Sequence, residues 1–415
     1  MGLASMDGDL PQSYFEKTEI PFFNLAPYDD CESEQWQDFK VFSYWQPCFI
    51  LKFTAESLTI HTTLIFKNNL HLDLEEIFKE EIKLKTKEVL NLLNTPKVPE
   101  NIRFQWDQIT ETPNQLEWEK SFKLIDFQIL KKVVLTRKKT FSQKFCAKNS
   151  FSKNVLWKIF CEFHRKNLNL KSNEDKPKLF FYFSPTPQKS FFGLTPEKLF
   201  TLNFNEITLE ALAGTRPRDL INPEQDQIYI NELLNSPKEN FEHELVCLDI
   251  IEHMTKLTCL PKLKIKPIFS KKILTLKNVH HLYTLFQNTL NINWNSHYPH
   301  LKNTFEIYQI FHPTAAIGGY PHDLGYEWTC QHRHFSRGLY SGAQGFIDPK
   351  NKFVEYWVGI RSALTELNVD HVFHLNIFGG AGIMPLSRPG SEWEEIENKM
   401  KPIIETFSDS FSETH

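Results

Sequence analysis

Alternating runs of aromatic and β-branched residues recur along nearly the whole chain, and no other feature limits the possible fold as strongly. They span Val41 to Trp45, Cys48 to Phe53, Leu58 to Phe66, Lys131 to Arg137, Leu179 to Phe183, Leu199 to Leu209, Gly338 to Ile347, Phe353 to Leu364 and His371 to Gly379. A period of two over such lengths predicts strands. Long helical spacing covers Leu72 to Asn94, ended by Pro96, Pro223 to Leu257 with one break near Pro237, and Ser391 to Phe407. Strands that outnumber helices and come in hairpin-like runs predict an α+β protein with sheets packed face to face. With 41% apolar residues and 36 Phe among 415, the chain has material for a large core. The Asn-, Lys- and Ser-rich stretch Leu168 to Lys178 reads as an exposed loop, because strands resume on both sides. Residues 21–407 are therefore expected to form one domain, between a loose segment 1–20 and a frayed end 408–415.

A formal net charge of −4 with both signs mixed throughout gives no electrostatic footprint for nucleic acid or an anionic membrane, so any anion must be bound in a local pocket. The seven cysteines (31, 48, 146, 161, 247, 259 and 330) lie far apart without Cys-x-x-Cys pairing, which predicts reduced packing residues. No apolar run approaches the roughly 20 residues of a membrane span, and no leader pattern opens the chain. The opening Met1-Gly2 has Met6 where myristoylation requires Ser or Thr. A cytoplasmic, monomeric protein is expected.

Five segments concentrate the groups that do chemistry. Glu210 to Arg218, reading Glu-Ala-Leu-Ala-Gly-Thr-Arg-Pro-Arg, leads from a strand into a glycine turn that contains Gly214 and Thr215. The others are Gly193-Leu194-Thr195-Pro196-Glu197, Lys238 to His243, His312-Pro313-Thr314-Ala315-Ala316-Ile317-Gly318-Gly319, and Gly379-Gly380-Ala381-Gly382-Ile383 followed by Ser391-Glu392-Trp393-Glu394-Glu395. Glu239 and Glu242, like Glu392 and Glu395, are three apart in helical segments and share a helix face. An isolated pair of this kind is ordinarily a solvated acidic face, whereas two converging pairs suit a hard cation. Ser391 followed by Glu394 reads as a capping box, which gives Glu394 a structural role and leaves Trp393, Ile396, Met400, Ile403 and Phe407 as the buried stripe. Lys131 and Lys132 must point to opposite faces of their strand, so only one can enter a pocket. The histidines 332 and 334 fit no zinc spacing and read as solvated, and His243 reads as a partner of its own helix.

In their order and separation these segments resemble the chorismate-binding enzymes, from about Phe127 to about Lys399. The group includes isochorismate synthases, salicylate synthases and the large subunits of anthranilate and aminodeoxychorismate synthases. The resemblance implies two large stacked antiparallel sheets flanked by helices, with the active site between them. It implies Mg2+ held by Glu239, Glu242, Glu392 and Glu395, together with a carboxylate of the substrate chorismate. Lys132, in Lys-Val-Val-Leu-x-Arg, matches a general base that activates water, and Glu210 is assigned as the general acid that protonates the departing hydroxyl. A lysine at its reference pKa of about 10.4 is a poor base near neutrality, so this role calls for burial. Arg361 offers a bidentate fork to the second carboxylate. Gly214, Thr215, His281, Thr314, Tyr340, Gly380, Gly382 and Lys399 match pocket positions, although Lys399 could equally pair with Glu395 one turn away.

The segment His312 to Gly319 is closer to the His-Pro-Thr-x-Ala-x-Gly-Gly pattern of isochorismate synthases than to the amine-adding members. No fused amidotransferase sequence is present, so water rather than ammonia is the expected nucleophile, with no amidotransferase subunit. Salicylate synthase, in which pyruvate loss follows, is the near alternative, and a binding module without turnover is the alternative outside enzymes. A Mg2+-dependent phosphoryl hydrolase is disfavoured by the lack of a phosphate-cradling glycine loop. Thr195 stands where the family has Ser, and Phe378-Gly379 precedes the glycine turn, which bears on pocket shape. Menaquinone, siderophore and salicylate pathways all begin at isochorismate.

Overall fold

The computed structural model describes residues 3–5, 22–26, 28–29, 36, 43–47, 49–53, 58–62, 104–145, 178–183, 189–257, 271–275, 279–292, 299–348 and 350–408. In chain order these form β1 (Leu3–Ser5), β2 (Phe22–Ala26), β3 (Ser43–Pro47), β4 (Phe49–Phe53), β5 (Leu58–Thr62), β6 (Gln108–Thr112), α1 (Gln115–Lys123), β7 (Lys132–Lys144), β8 (Lys178–Phe183), β9 (Lys189–Thr195), β10 (Lys198–Asn203) and β11 (Glu206–Pro217). There follow α2 (Pro223–Asn235), α3 (Pro237–Met254), β12 (Lys272–Thr275), β13 (Val279–Thr289), α4 (Pro299–Phe311), β14 (Gly319–Tyr320), α5 (His322–Gln331), β15 (Ala343–Asp348), β16 (Phe353–Val358), β17 (Ser362–Leu367), β18 (Val372–Ile383) and α6 (Pro389–Ser408). The expected helix Leu72 to Asn94 lies outside the described residues.

Two large antiparallel sheets result. One has nine strands in the order β1-β3-β2-β15-β16-β10-β11-β13-β12, and the other has seven, β14-β7-β18-β17-β9-β8 with β6 also pairing β7; β4 and β5 form a separate hairpin. The chain passes repeatedly from one large sheet to the other. It crosses at Pro196-Glu197, between β9 and β10, and again at Gly359-Ile360-Arg361, between β16 and β17. Neither sheet is built from one half of the sequence.

Each sheet covers one face with helices. On the seven-stranded sheet, Val133, Leu135, Phe373, Leu375 and Ile377 pack against Ile396, Met400, Ile403 and Phe407 of α6, with Trp393 partly buried beside them. Burying each of these α6 side chains contributes roughly 1.5–3 kcal/mol. On the nine-stranded sheet, Phe200, Leu209 and Phe286 pack against Val246, Ile250 and Met254 of α3 and Ile307 and Phe311 of α4. A third cluster of Trp36, Phe191, Leu339, Tyr340, Leu364 and Phe378 lies on the opposite face of the seven-stranded sheet, since each of its strand members alternates with a residue of the α6-facing cluster.

Three expected strands are interrupted. Leu199 to Leu209 is a hairpin, with Asn203 opposite Glu206 and a two-residue turn at Phe204-Asn205, where Phe204 takes φ 53°. Such tight turns need positive φ, and no glycine advertises this one. Phe353 to Leu364 is cut at the sheet crossing, where Arg361 takes φ 51°. Gly338 to Ile347 becomes strand only at Ala343, because residues 337–342 form turns closed by Tyr340 N–H to Arg337 O and Gly342 N–H to Leu339 O. The helical pattern Pro223 to Leu257 breaks where expected, with Ser236 capping α3 through Glu239 N–H. The last helix begins at Pro389, so Ser391 lies inside its first turn and not at a capping position. Glu394 is exposed.

Candidate active site

A cavity of about 760 Å³, mouth included, opens between the sheets where the crossings meet α3 and α6. Lys132 comes from the first position of β7, where the alternation turns it inward: it is 1% exposed, while Lys131 is exposed and donates to Gln128 O. Gly380 and Gly382 come from the paired strand β18, and Gly214, Thr215 and His281 from the pair β11 and β13. Glu197 and Arg361 occupy the two sheet crossings, and all of these residues line the cavity.

Acidic and basic groups alternate along the side formed by the helices. Lys132 Nζ is 2.9 Å from Glu242 Oε1, Lys399 Nζ is 2.7 Å from Glu395 Oε1, and Lys238 Nζ is 2.5 Å from Glu392 Oε1. Glu242, Glu395 and Lys399 line the cavity; Glu239 and Glu392 lie behind them, 4% and 1% exposed. Glu239 accepts from Thr215 N–H and from Arg216, which ties the glycine turn to α3. Burial and the neighbouring Glu242 raise the pKa of Glu239. Burial and Glu395 push Glu392 up to about 7, and its Oε2 is buried with no hydrogen bond. Burial also opposes ionisation of Glu395, but Lys399 and Lys238 outweigh it and hold that carboxyl down at about 2. α6 is held in place by Arg137, whose guanidinium lies over the Trp393 ring and bonds Glu397 at 2.8 Å.

Glu197 lines the cavity, whereas Glu210, the residue expected to act as the acid, does not. Glu210 shares the strand face of Leu212, which lines the cavity, but lies one step further along β11 and pairs with Lys198 at 3.3 Å. Glu197 is 7% exposed, and burial pushes its pKa up to about 7 against the opposing charges of Lys132 and Lys399; Glu210 raises it further. Thr314 does not line the cavity; its buried hydroxyl approaches Glu197 and helps to lower that pKa, although it meets no acceptor at full hydrogen-bond geometry.

The remaining predicted positions supply donors and acceptors. His281 Nδ1 is 3.1 Å from Gly214 O, a pure acceptor, so the proton sits on Nδ1 and the buried, unpartnered Nε2 keeps its lone pair. Burial, with Arg361 beside it, pushes His281 down to about 3, so the ring is neutral. Burial pushes Tyr340 up to about 12, which keeps its hydroxyl a donor, and its ring stacks on Phe378 at 5.1 Å. Arg361 makes no ion pair among the described residues, and burial lowers its pKa. Glu395 and Glu197 are among the charges that counter this. At Gly382 a Cβ would meet Glu242 Oε1 at 2.3 Å and Lys132 Cε at 2.6 Å, so glycine is required for that pair to cross β18.

The segment before Phe127, which carries no family motif, organises one wall. Asp29 accepts from Ser336 Oγ and from the backbone N–H groups of Arg337 and Gly338, and the Trp36 ring lies against Gly338, whose φ is +50°. These contacts hold the turn that delivers Tyr340. His243, expected to partner its own helix, instead bonds Thr284 Oγ1 of β13 at 2.8 Å and so ties α3 to the nine-stranded sheet. His332 is not simply solvated: it stacks on Trp328 at 4.3 Å. His334 bonds Ser121. Cys247 and Cys330 are free thiols; the other cysteines fall outside the described residues. Among the described residues no helix is long and apolar enough to cross a membrane.

Known proteins share this fold. A family model described as chorismate binding enzyme matches residues 11–408. The chain belongs to the chorismate-binding enzyme family. The chloroplastic isochorismate synthase 2 of Arabidopsis thaliana is 34% identical over 220 residues, 53% of this chain and 36% of that protein. The isochorismate synthase MenF of Haemophilus influenzae is 31% identical over 229 residues, 55% of this chain and 48% of that protein. The chain thus spans about a third to a half of the length of these relatives. The solved structure of MenF, the menaquinone-specific isochorismate synthase from Escherichia coli, matches with a TM-score of 0.72 at 21% identity, covering 96% of this chain and 80% of that one. The family fold expected from the sequence, two large antiparallel sheets flanked by helices, is the fold observed.

Proposed function

We propose that the chain is an isochorismate synthase, an isomerase that converts chorismate to isochorismate by adding water at one ring carbon while hydroxide leaves another. The observation that carries this reading is the cavity shared by buried Lys132 and a Glu197 carboxyl pushed up to about 7. Lys132 accepts a proton from water as the new C–O bond forms, the ring double bond shifts, and the old C–O bond breaks as Glu197 donates its proton to the leaving oxygen. One water enters and one departs, so the reaction is an isomerisation. An acid whose pKa lies near the working pH is half protonated there, which suits this role. Lys132 can accept a proton only when it is not held as the ammonium partner of Glu242.

Arg361 and Tyr340 bind one carboxylate of the substrate, and the neutral Nε2 of His281 accepts from a substrate hydroxyl. The oxygen-rich set of Glu242 and Glu395, with Glu239 and Glu392 behind, fits Mg2+, and the buried unpartnered Glu392 Oε2 is the kind of atom such a site leaves for a cation. When bound, the ion neutralises these carboxylates and attracts the other substrate carboxylate. Likeness to the relatives named above favours isochorismate supply for menaquinone biosynthesis.

Chromatography with mass spectrometry of the reaction of the purified chain with chorismate, Mg2+ and ammonium salt tests this. Isochorismate without pyruvate is expected, and chelation should abolish turnover. Salicylate with equal pyruvate, or anthranilate, would replace the assignment.

A further inference from the structure

Outside the cavity, the C-terminal half of α3 and the start of α5 bring together three metal-binding side chains that the proposed reaction does not use. Asp249 and His253 are one turn apart on α3 and are 2% and 3% exposed; His322 is the first residue of α5. One donor atom from each lies within 4.8 Å of the others, and the two imidazole rings are 4.3 Å apart.

The hydrogen bonding leaves buried acceptor atoms within this cluster. Asp249 Oδ2 accepts from Ala315 N–H at 2.9 Å. Its Oδ1 is buried and lies 3.1 Å from His253 Nδ1, whose proton is directed chiefly to the Asp249 backbone oxygen at 2.7 Å. Burial opposes protonation of His253, but the Asp249 carboxylate outweighs it and raises the pKa, so a metal would take the place of a proton here. His322 Nδ1 is 2.9 Å from Asp323 Oδ1, which fixes the proton on Nδ1 and leaves Nε2 as a lone pair, buried and without a partner. Asp249 Oδ1, which shares the His253 proton only weakly, and the unpartnered His322 Nε2 are buried acceptors that an electron-pair acceptor would satisfy. A histidine whose other nitrogen is held by a carboxylate is also the usual arrangement around a bound metal.

We propose that Asp249, His253 and His322 form a second cation site, specific for a divalent transition ion of the Zn2+ or Co2+ kind, that clamps α3 to α5 and to the segment preceding β14. Two imidazoles and one carboxylate are borderline ligands, unlike the all-oxygen set that Mg2+ prefers. Zn–N bonds of about 2.0–2.1 Å put tetrahedral ligands roughly 3.4 Å apart. Rotation of His322 at its helix end supplies the closure, and water completes the shell. Through the Ala315 amide the clamp would steady the segment that carries Thr314, so α3, which bears Glu239 and Glu242, and that wall of the cavity move as one.

The test uses the full chain, untagged and metal-depleted, with Glu242→Gln and Glu395→Gln in place so that the carboxylate cleft does not compete. Titration with Co2+ should give one saturable equivalent with visible d–d absorption bands, displaced by Zn2+ but not by millimolar Mg2+, and a higher Tm. His322→Ala and the closer-sized His322→Gln should abolish the bands, while the far-ultraviolet circular dichroism of the metal-free protein stays unchanged. Absence of saturable Co2+ bands in the parent, or the same bands in a folded His322 variant, overturns the site. Neither result depends on the reaction proposed above.

Discussion

The crossing between β9 and β10 and the middle of β11 each carry a glutamate, and the two are close enough for the charge of Glu210 to raise the pKa of Glu197. Their surroundings separate them. Glu197 sits in an irregular link between sheets and enters the cavity, while Glu210 keeps the strand alternation and pairs with Lys198. Arg361 occupies the second such link, so two charged groups of the cavity stand where the chain leaves one sheet for the other, while Lys132 enters from a regular strand.

The sharpest way to break this contrast is to remove the two groups assigned to proton transfer. Glu197→Gln and Lys132→Ala should each lower kcat by roughly 10² to 10⁴, about 2.7 to 5.4 kcal/mol of barrier. Steady-state kinetics on variants with unchanged circular dichroism would check this, and a normal kcat in Glu197→Gln would return the acid role to Glu210. Next in size is Arg361→Ala. A charge-assisted hydrogen bond is worth about 1.5–3 kcal/mol, so KM for chorismate should rise roughly 10- to 150-fold while kcat falls less. A loss confined to kcat would remove Arg361 from ground-state binding.

These differences explain what was legible in the sequence. Strand alternation left Lys131 and Lys132 as alternatives, and it was the motif resemblance that singled out Lys132, Gly380 and Gly382, which the structure brings together on the paired strands β7 and β18. Helix spacing put Glu239 with Glu242 and Glu392 with Glu395 on shared helix faces, and the motif resemblance assigned those faces to the site. That Glu242 and Glu395 reach the cavity while their partners stay behind depends on helix rotation, which spacing alone leaves open. Glu197 was visible in its motif but not its role, because the kink at a sheet crossing has no period to read. Asp29 and Trp36 had no signal at all: their importance comes from a turn some 300 residues later in the chain.

The pH dependence is a smaller effect. If Glu197 must be protonated, kcat/KM should fall about tenfold per pH unit above its pKa of about 7, and this limb should vanish in Glu197→Gln. Stability carries the same signature. A carboxyl raised from 4.5 to about 7 by burial gives its full stabilising contribution below pH 4.5 and loses it as the pH rises through 7. Glu197→Gln, always neutral, should therefore gain on the parent in Tm between pH 6 and pH 8. Equal pH profiles of Tm would show that the carboxyl is not buried as described.

The smallest expected effects lie on the other side of the comparison. Lys131→Ala should change kcat by no more than about twofold, since exposed side chains of this kind contribute little. Glu210→Gln should leave the plateau kcat within a few-fold, because its carboxylate pairs with Lys198 and does not line the cavity. It should nevertheless move the alkaline limb. The negative charge of Glu210 disfavours ionisation of Glu197, so removing it lowers the Glu197 pKa and shifts the fall in kcat/KM to lower pH. A full kcat/KM profile of this variant separates the two glutamates: a displaced limb with an intact plateau places Glu210 as a neighbour that tunes the acid, whereas a collapsed plateau with an unmoved limb would make Glu210 the acid and overturn the contrast between crossing and strand.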